Sequence, residues 1–286
     1  MADGLGSDAP APAPAHEPPP HRLDVALVLL GLARSRTHAA RLIDAGVVTV
    51  DGVGVVKPSH RTEHTARIEV AGADHYVSRA AHKLVAALDG FGVDVSGRSA
   101  LDVGASTGGF TQVLLERGAV QVIAVDVGHA QLAPSLRSDD RVTVVEGFNA
   151  RAMTIASLAD AAGVTTDLLR AVDLVVADLS FISLGMVLPA VAMTVGRDAD
   201  IIALVKPQFE VGRGGIREGV VRRPELRTDA LNGVLWGAWD VGLRTVGVMP
   251  SPLVGTNGNH EYLVRLSGAA GSSPSEWSAV VDRITA

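Results

Sequence analysis

The chain has 286 residues, of which 47% are hydrophobic and 20% charged, and its formal net charge is −6. This length corresponds to one large domain or two ordinary ones, and the composition is that of a globular protein with a sizeable core. The absence of cysteine excludes disulfides, thiolate catalysis and cysteine-ligated metal sites. No apolar run of about 18 residues is present to span a membrane, and the N-terminal segment lacks the pattern of a secretory signal. We therefore expect a soluble protein of the reducing cytoplasm.

Two segments precede the main body of the chain. Residues 1–21 are rich in Pro and Ala and contain no Lys or Arg, which predicts a disordered tail. Residues 22–76 are expected to form a small α+β domain. A leucine repeat predicts its first helix, and Ser35 is the expected N-cap of a second helix that ends at Gly46. Alternating apolar residues around an Asp-Gly turn predict short strands after these helices.

From residue 77 to residue 270 the sequence alternates apolar strand patterns with helical segments. This rhythm predicts a doubly wound, Rossmann-like α/β sheet. The seven candidate strands are Ser99–Val103, Val120–Val125, Arg141–Val145, Val172–Ala177, Ile201–Val205, Arg244–Val248 and Glu261–Arg265. The last two leave no room for a helix between them, so we expect a hairpin that puts an antiparallel last strand into a parallel sheet. Residues 271–286 are expected to form a helical C-terminal segment.

A glycine-rich loop follows the first strand of this sheet and opens a helix. The loop begins Leu-Asp-Val-Gly-Ala-Ser-Thr-Gly-Gly at residue 101, and it departs from the GxGxxG spacing of dinucleotide sites. Asp126 ends the second strand, where an acid can accept hydrogen bonds from the ribose of an adenosine cofactor. Asp102 would lie near the cationic methionine end of S-adenosylmethionine. The cofactor residues predicted from these positions are Asp102, Gly104, Ala105, Ser106, Thr107, Gly108, Gly109, Asp126, Val127, Phe148 and Asn149. The alternative is a set of tight turns with a helix-capping acid.

Four charged residues lie where the predicted sheet would bring them to one edge. Asp178 and Lys206 follow the fourth and fifth strands, at the carboxyl ends where doubly wound sheets bind ligands. Glu261 opens the antiparallel strand and so reaches the same edge, while Lys83 lies on the helix before the sheet. A partly desolvated lysine beside a second cation can act as base toward a poor nucleophile such as a ribose hydroxyl. We predict Lys206 as that base, although single residues of these types are more often solvated charges or caps.

The chain resembles the TlyA family of ribosomal RNA 2′-O-methyltransferases, which is related to the FtsJ-type RNA ribose methyltransferases. The stretches that carry the resemblance are RSRTHAARLIDAG, VSRAAHKL, LDVGASTGGFT, VVADLSFISL, LVKPQFEVG and NGNHEY. The resemblance implies a Lys-Asp-Lys-Glu catalytic tetrad at Lys83, Asp178, Lys206 and Glu261, and it places Asp178 and Phe181 beside the cofactor. It also implies S-adenosylmethionine as cofactor and a first domain like the RNA-binding module of small-subunit ribosomal protein four. The implied substrate is a cytidine ribose of small- or large-subunit ribosomal RNA within ribosomal subunits.

Basic residues cluster in two parts of this acidic chain. Six Lys or Arg stand against three Asp or Glu between residues 22 and 61, and the same counts recur between residues 206 and 227. Such cations contact phosphates, which sets affinity and register without reading sequence. The predicted RNA-binding residues are Arg22, Arg34, Arg36, Arg41, Lys57, Arg61 and Arg79. The second cluster is Gly-rich and is interpreted as a mobile lid near Lys206, the alternative being an ordinary exposed loop. Its arginines are Arg213, Arg217, Arg222, Arg223 and Arg227.

Other functions fit the sequence less well. A nicotinamide dehydrogenase is disfavoured by the absence of GxGxxG and by the terminal hairpin. A non-catalytic RNA-binding or ribosome-assembly factor would need no lysine pair at the cofactor edge. Some members of the family carry a haemolysin label, but no spanning segment or basic amphipathic helix supports membrane activity. The dispersed histidines predict no metal site, and Trp236 and Trp239 are expected to pack a helix against the sheet.

Overall fold

The structure is a computed structural model, and the residues that it describes are 20–33, 35–63, 65–70, 75–196, 198–212 and 215–286. Most of the tail that we expect to be disordered lies outside these ranges, as do Arg34 and Arg213. Contacts within the chain divide it into two units, Met1–His75 and Tyr76–Ala286. Each unit has its own hydrophobic core.

The first unit is a small α+β fold, as predicted. Its two helices, α1 (Leu23–Leu29) and α2 (Arg36–Asp44), pack against each other. Its strands are β1 (His21–Arg22), β2 (Val48–Val50), β3 (Val53–Gly54), β4 (Arg61–Thr62) and β5 (Ile68–Val70). β1 pairs with β4, and β2 lies between β3 and β5, with antiparallel pairing throughout.

Local sequence explains how this unit forms. Ser35 caps α2 by accepting the backbone N–H of His38 at 3.2 Å, and Gly46 follows the helix with φ +70°, which glycine adopts without strain. The core is made of apolar side chains from both helices and β2, including Leu23, Leu27, Ala39, Ile43 and Val48. Leu30, which belongs to the leucine repeat, is exposed at the C-cap of α1.

The second unit is built on a seven-stranded sheet. Its strands are β6 (Ser99–Val103), β7 (Gln121–Val125), β8 (Val142–Val145), β9 (Leu174–Ala177), β10 (Asp200–Val205), β11 (Arg244–Pro250) and β12 (Tyr262–Ser267). The strand order is β11-β12-β10-β9-β6-β7-β8. Strands β6 to β10 are parallel, and β12 is antiparallel to both of its neighbours. The predicted sheet with an antiparallel last strand is therefore confirmed.

Helices cover both faces of this sheet. They are α3 (Ala81–Phe91), α4 (Gly109–Glu116), α5 (Pro134–Arg137), α6 (Ile155–Ala162), α7 (Thr166–Arg170), α8 (Leu188–Val195), α9 (Pro207–Glu210), α10 (Pro224–Asp240) and α11 (Ser278–Thr285). Side chains of α3, α4 and α5 form one core with the sheet, and those of α6, α7, α8, α10 and α11 form the other. Among the described residues, no helix is both long and apolar enough to cross a membrane.

The expectation for the two tryptophans of α10 is wrong. Trp236 and Trp239 are 46% and 38% exposed, whereas Leu231, Val234 and Leu235 are buried against the sheet. The helix turns about 100° per residue, so Trp236 lies on the far side of the helix from this buried stripe and Trp239 lies at its margin. Aromatic residue type alone was therefore a poor guide to the packed face.

Candidate active site

The glycine-rich loop joins the end of β6 to α4 and forms part of the wall of a cavity. Gly104 has φ +88°, and a Cβ atom there would lie 2.9 Å from the backbone oxygen of Asp178. Gly108 caps α4 with φ +96°. Both positions require glycine because their backbone is left-handed, and at Gly104 the end of β9 also approaches too closely for a side chain. The loop therefore brings the start of α4 and the ends of two strands together.

Asp126 follows β7 and fixes this loop. Its Oδ2 accepts the backbone N–H of Ser106 at 2.8 Å, and its Oδ1 accepts the N–H of Gly128 at 2.7 Å. Each carboxylate oxygen has a second acceptor site. Asp126 also lines the cavity, so its oxygens can still accept hydrogen bonds from a bound hydroxyl.

The cavity lies beyond the carboxyl ends of the parallel strands and has a volume of about 570 Å³, which is in the range of small-molecule sites. The predicted cofactor residues that line it are Gly104, Ser106, Asp126, Val127, Phe148, Asn149, Asp178 and Phe181. Four others do not line it: Ala105, Gly108 and Gly109 are buried in the loop and the start of α4, and Thr107 is exposed.

Asp102 lies in β6, behind the loop, and does not line the cavity. Its side chain is fully buried, and Oδ2 accepts the hydroxyl of Thr111 at 2.7 Å, while Oδ1 has no partner within the described part of the chain. Burial raises the pKa of this carboxyl to about 7, the bonds from Thr111 oppose the rise, and the Asp178 and Asp126 carboxylates add to it. Asp102 thus anchors the first turn of α4 through Thr111 and does not form part of the cavity wall.

Lys206 immediately follows β10, beside the end of β9. Its Nζ lies 2.7 Å from Oδ1 of Asp178 and donates a hydrogen bond to Oγ of Ser180 at 2.8 Å. Asp178 and Ser180 line the cavity, and the amine of Lys206, which is not itself a lining residue, contacts both of them. A buried cation is tolerated only where charged and polar partners replace its water, and these two side chains supply that replacement.

Lys83 and Glu261 form a second ion pair, with 2.5 Å between Nζ and Oε2 and side chains that are 6% and 3% exposed. Lys83 lies in the first turn of α3, and Glu261 immediately precedes β12. Val205 pairs with Tyr262 across the antiparallel strands. Glu261, which comes just before Tyr262, therefore lies beside Lys206, which comes just after Val205. The structure brings the four predicted residues to one edge of the sheet as two ion pairs.

Sequence reasoning missed part of the cavity wall. The additional lining residues outside the strands are Gln131, Ala150, Arg151, Leu179, Ser180, Ile182 and Val187. Ser180 had a signal, because it comes two residues after Asp178 in a segment already assigned to the site. Gln131 and Arg151 had none, since they come from the connections after β7 and β8, whose course the strand pattern does not restrict.

The predicted RNA-binding residues of the first unit fall into two groups. Arg22 and Arg36 bond to the buried carboxylate of Asp24, at 3.0 Å and 2.9 Å, so they also stabilise the fold. These contacts, chiefly that of Arg22, lower the pKa of Asp24. Arg61 donates to the backbone oxygen of Pro20. The side chains of Arg41 and Lys57 are exposed.

Arg79, the one predicted RNA contact in the second unit, is exposed just before α3. The segment interpreted as a lid is partly anchored: Asn259 accepts the N–H of Val221 at 3.1 Å and donates to the oxygen of Gly219 at 2.8 Å. Arg227 does not belong to a lid, because α10 begins before it and its buried guanidinium donates to the backbone oxygen of Thr285. The predicted lid segment was therefore too long at its C-terminal end, because it included the first turn of α10.

No group of three His, Asp or Glu side chains within the described ranges is placed to hold a metal ion. The charged groups paired at this edge of the sheet are the two lysines and their carboxylate partners.

Residues 76–267 match the FtsJ-like methyltransferase family, and residues 21–68 match the S4 domain. The 16S/23S rRNA (cytidine-2′-O)-methyltransferase TlyA of Mycobacterium tuberculosis is 51% identical over 86% of this chain and 89% of that protein. Hemolysin A of Brachyspira hyodysenteriae is 39% identical over 85% of this chain and 98% of its own length. A solved structure from Streptococcus thermophilus, also named as a hemolysin, is 34% identical and superposes with a TM-score of 0.69, covering 93% of this chain and 94% of that one.

Proposed function

Because this chain belongs to the FtsJ-like methyltransferase family, we propose that it transfers the methyl group of S-adenosylmethionine to a cytidine ribose 2′-hydroxyl of ribosomal RNA. The 51% identity to a relative named for this reaction supports the substrate and the position of transfer. The structural observation that carries the proposal is the amine of Lys206, which is held by Asp178 and Ser180, two residues that line the cavity.

The residues of the cavity fit S-adenosylmethionine. Asp126 can accept hydrogen bonds from the two ribose hydroxyls, and Phe148 and Asn149 form the wall where adenine would lie. Gly104 lines the cavity, so a ligand can approach the backbone at this position. When bound, this cofactor supplies a methyl group on a sulfonium, which needs no metal to react with an oxygen nucleophile.

Lys206 is the proposed base. A ribose hydroxyl is a weak nucleophile, and its attack is helped when its proton passes to a nearby group as the oxygen takes the methyl group. The amine of Lys206, in its deprotonated form, can accept that proton. Asp178 and Ser180 fix the direction of Nζ, so that much of the rate comes from alignment of the hydroxyl with the cavity. After transfer, Asp178 stabilises the ammonium that has formed.

The Lys83–Glu261 pair has a different part in this proposal. The carboxylate of Glu261 holds the ammonium of Lys83 at 2.5 Å in a site that excludes water. Removing either partner would leave an uncompensated buried charge. We infer that the pair keeps the start of β12 fixed beside Lys206.

The first unit supplies RNA affinity in this proposal. It matches the S4 domain, and exposed Arg41 and Lys57 can contact phosphates. Such contacts carry no sequence information, so choice of the target cytidine would come from the shape of the ribosomal RNA around it. A substrate inside ribosomal subunits would place the protein in the cytoplasm.

Transfer of tritiated methyl from S-adenosylmethionine to small and large subunits that lack the native modification tests the proposal. We expect the wild-type protein to label at least one subunit. Lys206→Ala should bind S-adenosylhomocysteine as the wild type does and transfer no methyl. Normal turnover by this variant would remove Lys206 as the base, and absence of transfer by the wild type to either subunit would contradict the function itself.

A further inference from the structure

Lys206 and its two partners lie on two short segments of the chain. The first is 178–184, which follows β9 and contains Asp178 and Ser180. The second is 206–210, which begins with Lys206 and continues as α9. At the cavity end they are joined by the ion pair of Lys206 with Asp178 and by the hydrogen bond that Lys206 donates to Ser180.

Glu210 joins the same two segments at their other end. Its Oε2 accepts the hydroxyl of Ser183 at 2.5 Å, and its Oε1 accepts the backbone N–H of Leu184 at 2.7 Å. Both carboxylate oxygens are therefore committed to one neighbouring segment. Between the two ends, the rings of Phe181 and Phe209 are in contact, with centroids 5.3 Å apart.

The hydrogen bonds of Glu210 affect Lys206 because the two residues lie at opposite ends of one short element. Lys206 starts a helix of only four residues, with Pro207 at its first position and Glu210 at its last. β10 holds the Lys206 end of this element, since Val205 pairs with Tyr262. The two bonds of Glu210 hold the other end, and charge-assisted hydrogen bonds of this kind are stronger than neutral ones. Glu210 does not line the cavity and belongs to neither lysine ion pair.

We propose that Glu210 is a positioning residue that fixes the direction of the Lys206 amine by bonding α9 to the segment after Asp178. The inference rests on the proposed function, since it assigns Glu210 a role in methyl transfer to the ribose hydroxyl. A purely structural role, capping the turn at Leu184–Met186, would make Glu210 matter for stability alone.

Three variants separate these roles. Glu210→Ala removes both bonds, Ser183→Ala removes one, and Glu210→Gln keeps an acceptor for Leu184 and a donor for the Ser183 oxygen. The matched control is Glu276→Ala, because Glu276 also reaches back to cap a short turn, at residues 274–277, by accepting the N–H of Ser273 at 3.4 Å. That turn adjoins the start of β11, at the opposite edge of the sheet from Glu261.

The measurements are kcat and KM for S-adenosylmethionine in transfer to unmodified ribosomal subunits, with the thermal midpoint of each variant. We expect Glu210→Ala to lower kcat about tenfold or more, since small misplacement of a reacting group is costly, while KM changes by roughly threefold at most. The kcat of Ser183→Ala should lie between those of Glu210→Ala and the wild type. Glu210→Gln should restore most of kcat, and Glu276→Ala should leave kcat unchanged.

Unchanged kcat in Glu210→Ala would overturn the inference, as would equal losses in Glu210→Ala and Glu276→Ala that follow their thermal midpoints. If Glu210→Ala does not fold, Ser183→Ala decides: a kcat equal to that of the wild type contradicts the positioning role, and a severalfold loss supports it. A wild-type protein that transfers no methyl would instead contradict the proposed function and this role with it.

Discussion

Lys83 and Glu261 are separated by 178 residues in the chain, yet their side chains form a buried ion pair of 2.5 Å. The pair joins the start of α3 to the start of β12, so two distant parts of the sequence meet at the edge where Lys206 follows β10. Space for the carboxylate depends on Gly255, because a Cβ atom there would lie 2.0 Å from Oε1 of Glu261.

Gly255→Ala should therefore disturb the site without removing any of its charges. The new methyl group must displace a carboxylate that is bonded and buried, and overpacking of this kind costs about 1–3 kcal/mol. We expect a lower thermal midpoint and a clear loss of methyl transfer. Gly237→Ala is the control, since nothing lies within 4 Å of a Cβ there and alanine favours its helix. Equal activity of the two variants would show that methyl transfer does not depend on a fixed position of the Glu261 carboxylate.

Lys206→Arg separates a base from a fixed charge. Arginine keeps the positive charge and can pair with Asp178, but a guanidinium does not lose its proton in proteins. If Lys206 takes the ribose proton, this variant should fold, bind S-adenosylhomocysteine and transfer methyl at a rate lower by roughly 10²-fold or more. Substantial activity in Lys206→Arg would mean that the residue acts through its charge alone, and the comparison can be made by single-turnover transfer.

Asp102 should make stability depend on pH. Its pKa is raised from 3.8 to about 7 in the folded chain, so folding favours the protonated form. The contribution of Asp102 to the free energy of unfolding is fully present below pH 4 and is lost as pH rises through 7. The loss is on the order of 4 kcal/mol. Asp102→Asn cannot ionise and should flatten this part of the dependence, becoming the more stable protein at pH 8. The midpoints of urea unfolding between pH 5 and pH 8 measure this dependence. If the midpoints of the wild type and Asp102→Asn change with pH in the same way, the raised pKa of Asp102 is contradicted.

Arg41 and Arg36 should behave differently when replaced by Ala, although both lie on α2. Arg41→Ala should weaken RNA binding and reduce the slope of log K against log salt by about one unit, with stability unchanged. Arg36→Ala should also lower stability, because Asp24 loses one of its two cationic partners. Arg170→Ala, which removes an exposed arginine of the second unit, is the control for net charge. Unchanged binding in Arg41→Ala would move the RNA surface elsewhere.

Much of the site followed from strand positions. Asp126, Asp178 and Lys206 directly follow apolar runs, and the carboxyl ends of parallel strands meet at one edge, so their neighbourhood could be predicted. Glu261 could be placed because a hairpin reverses strand direction. Partners that depend on loop paths could not be predicted: nothing in the pattern relates Glu210 to Ser183, or Arg227 to Thr285. The burial of Asp102 was missed because its place beside a glycine loop suggested contact with a ligand.

The most direct measurement of the central claim is the position of the transferred methyl group. Subunits that lack the modification would be incubated with the protein and S-adenosylmethionine, and their RNA digested to nucleosides for mass spectrometry. We expect 2′-O-methylcytidine to appear with the wild-type protein and to be absent with Lys206→Ala. A methyl group on a base, or no methylated nucleoside despite measured binding of the cofactor, would contradict ribose methylation by this site.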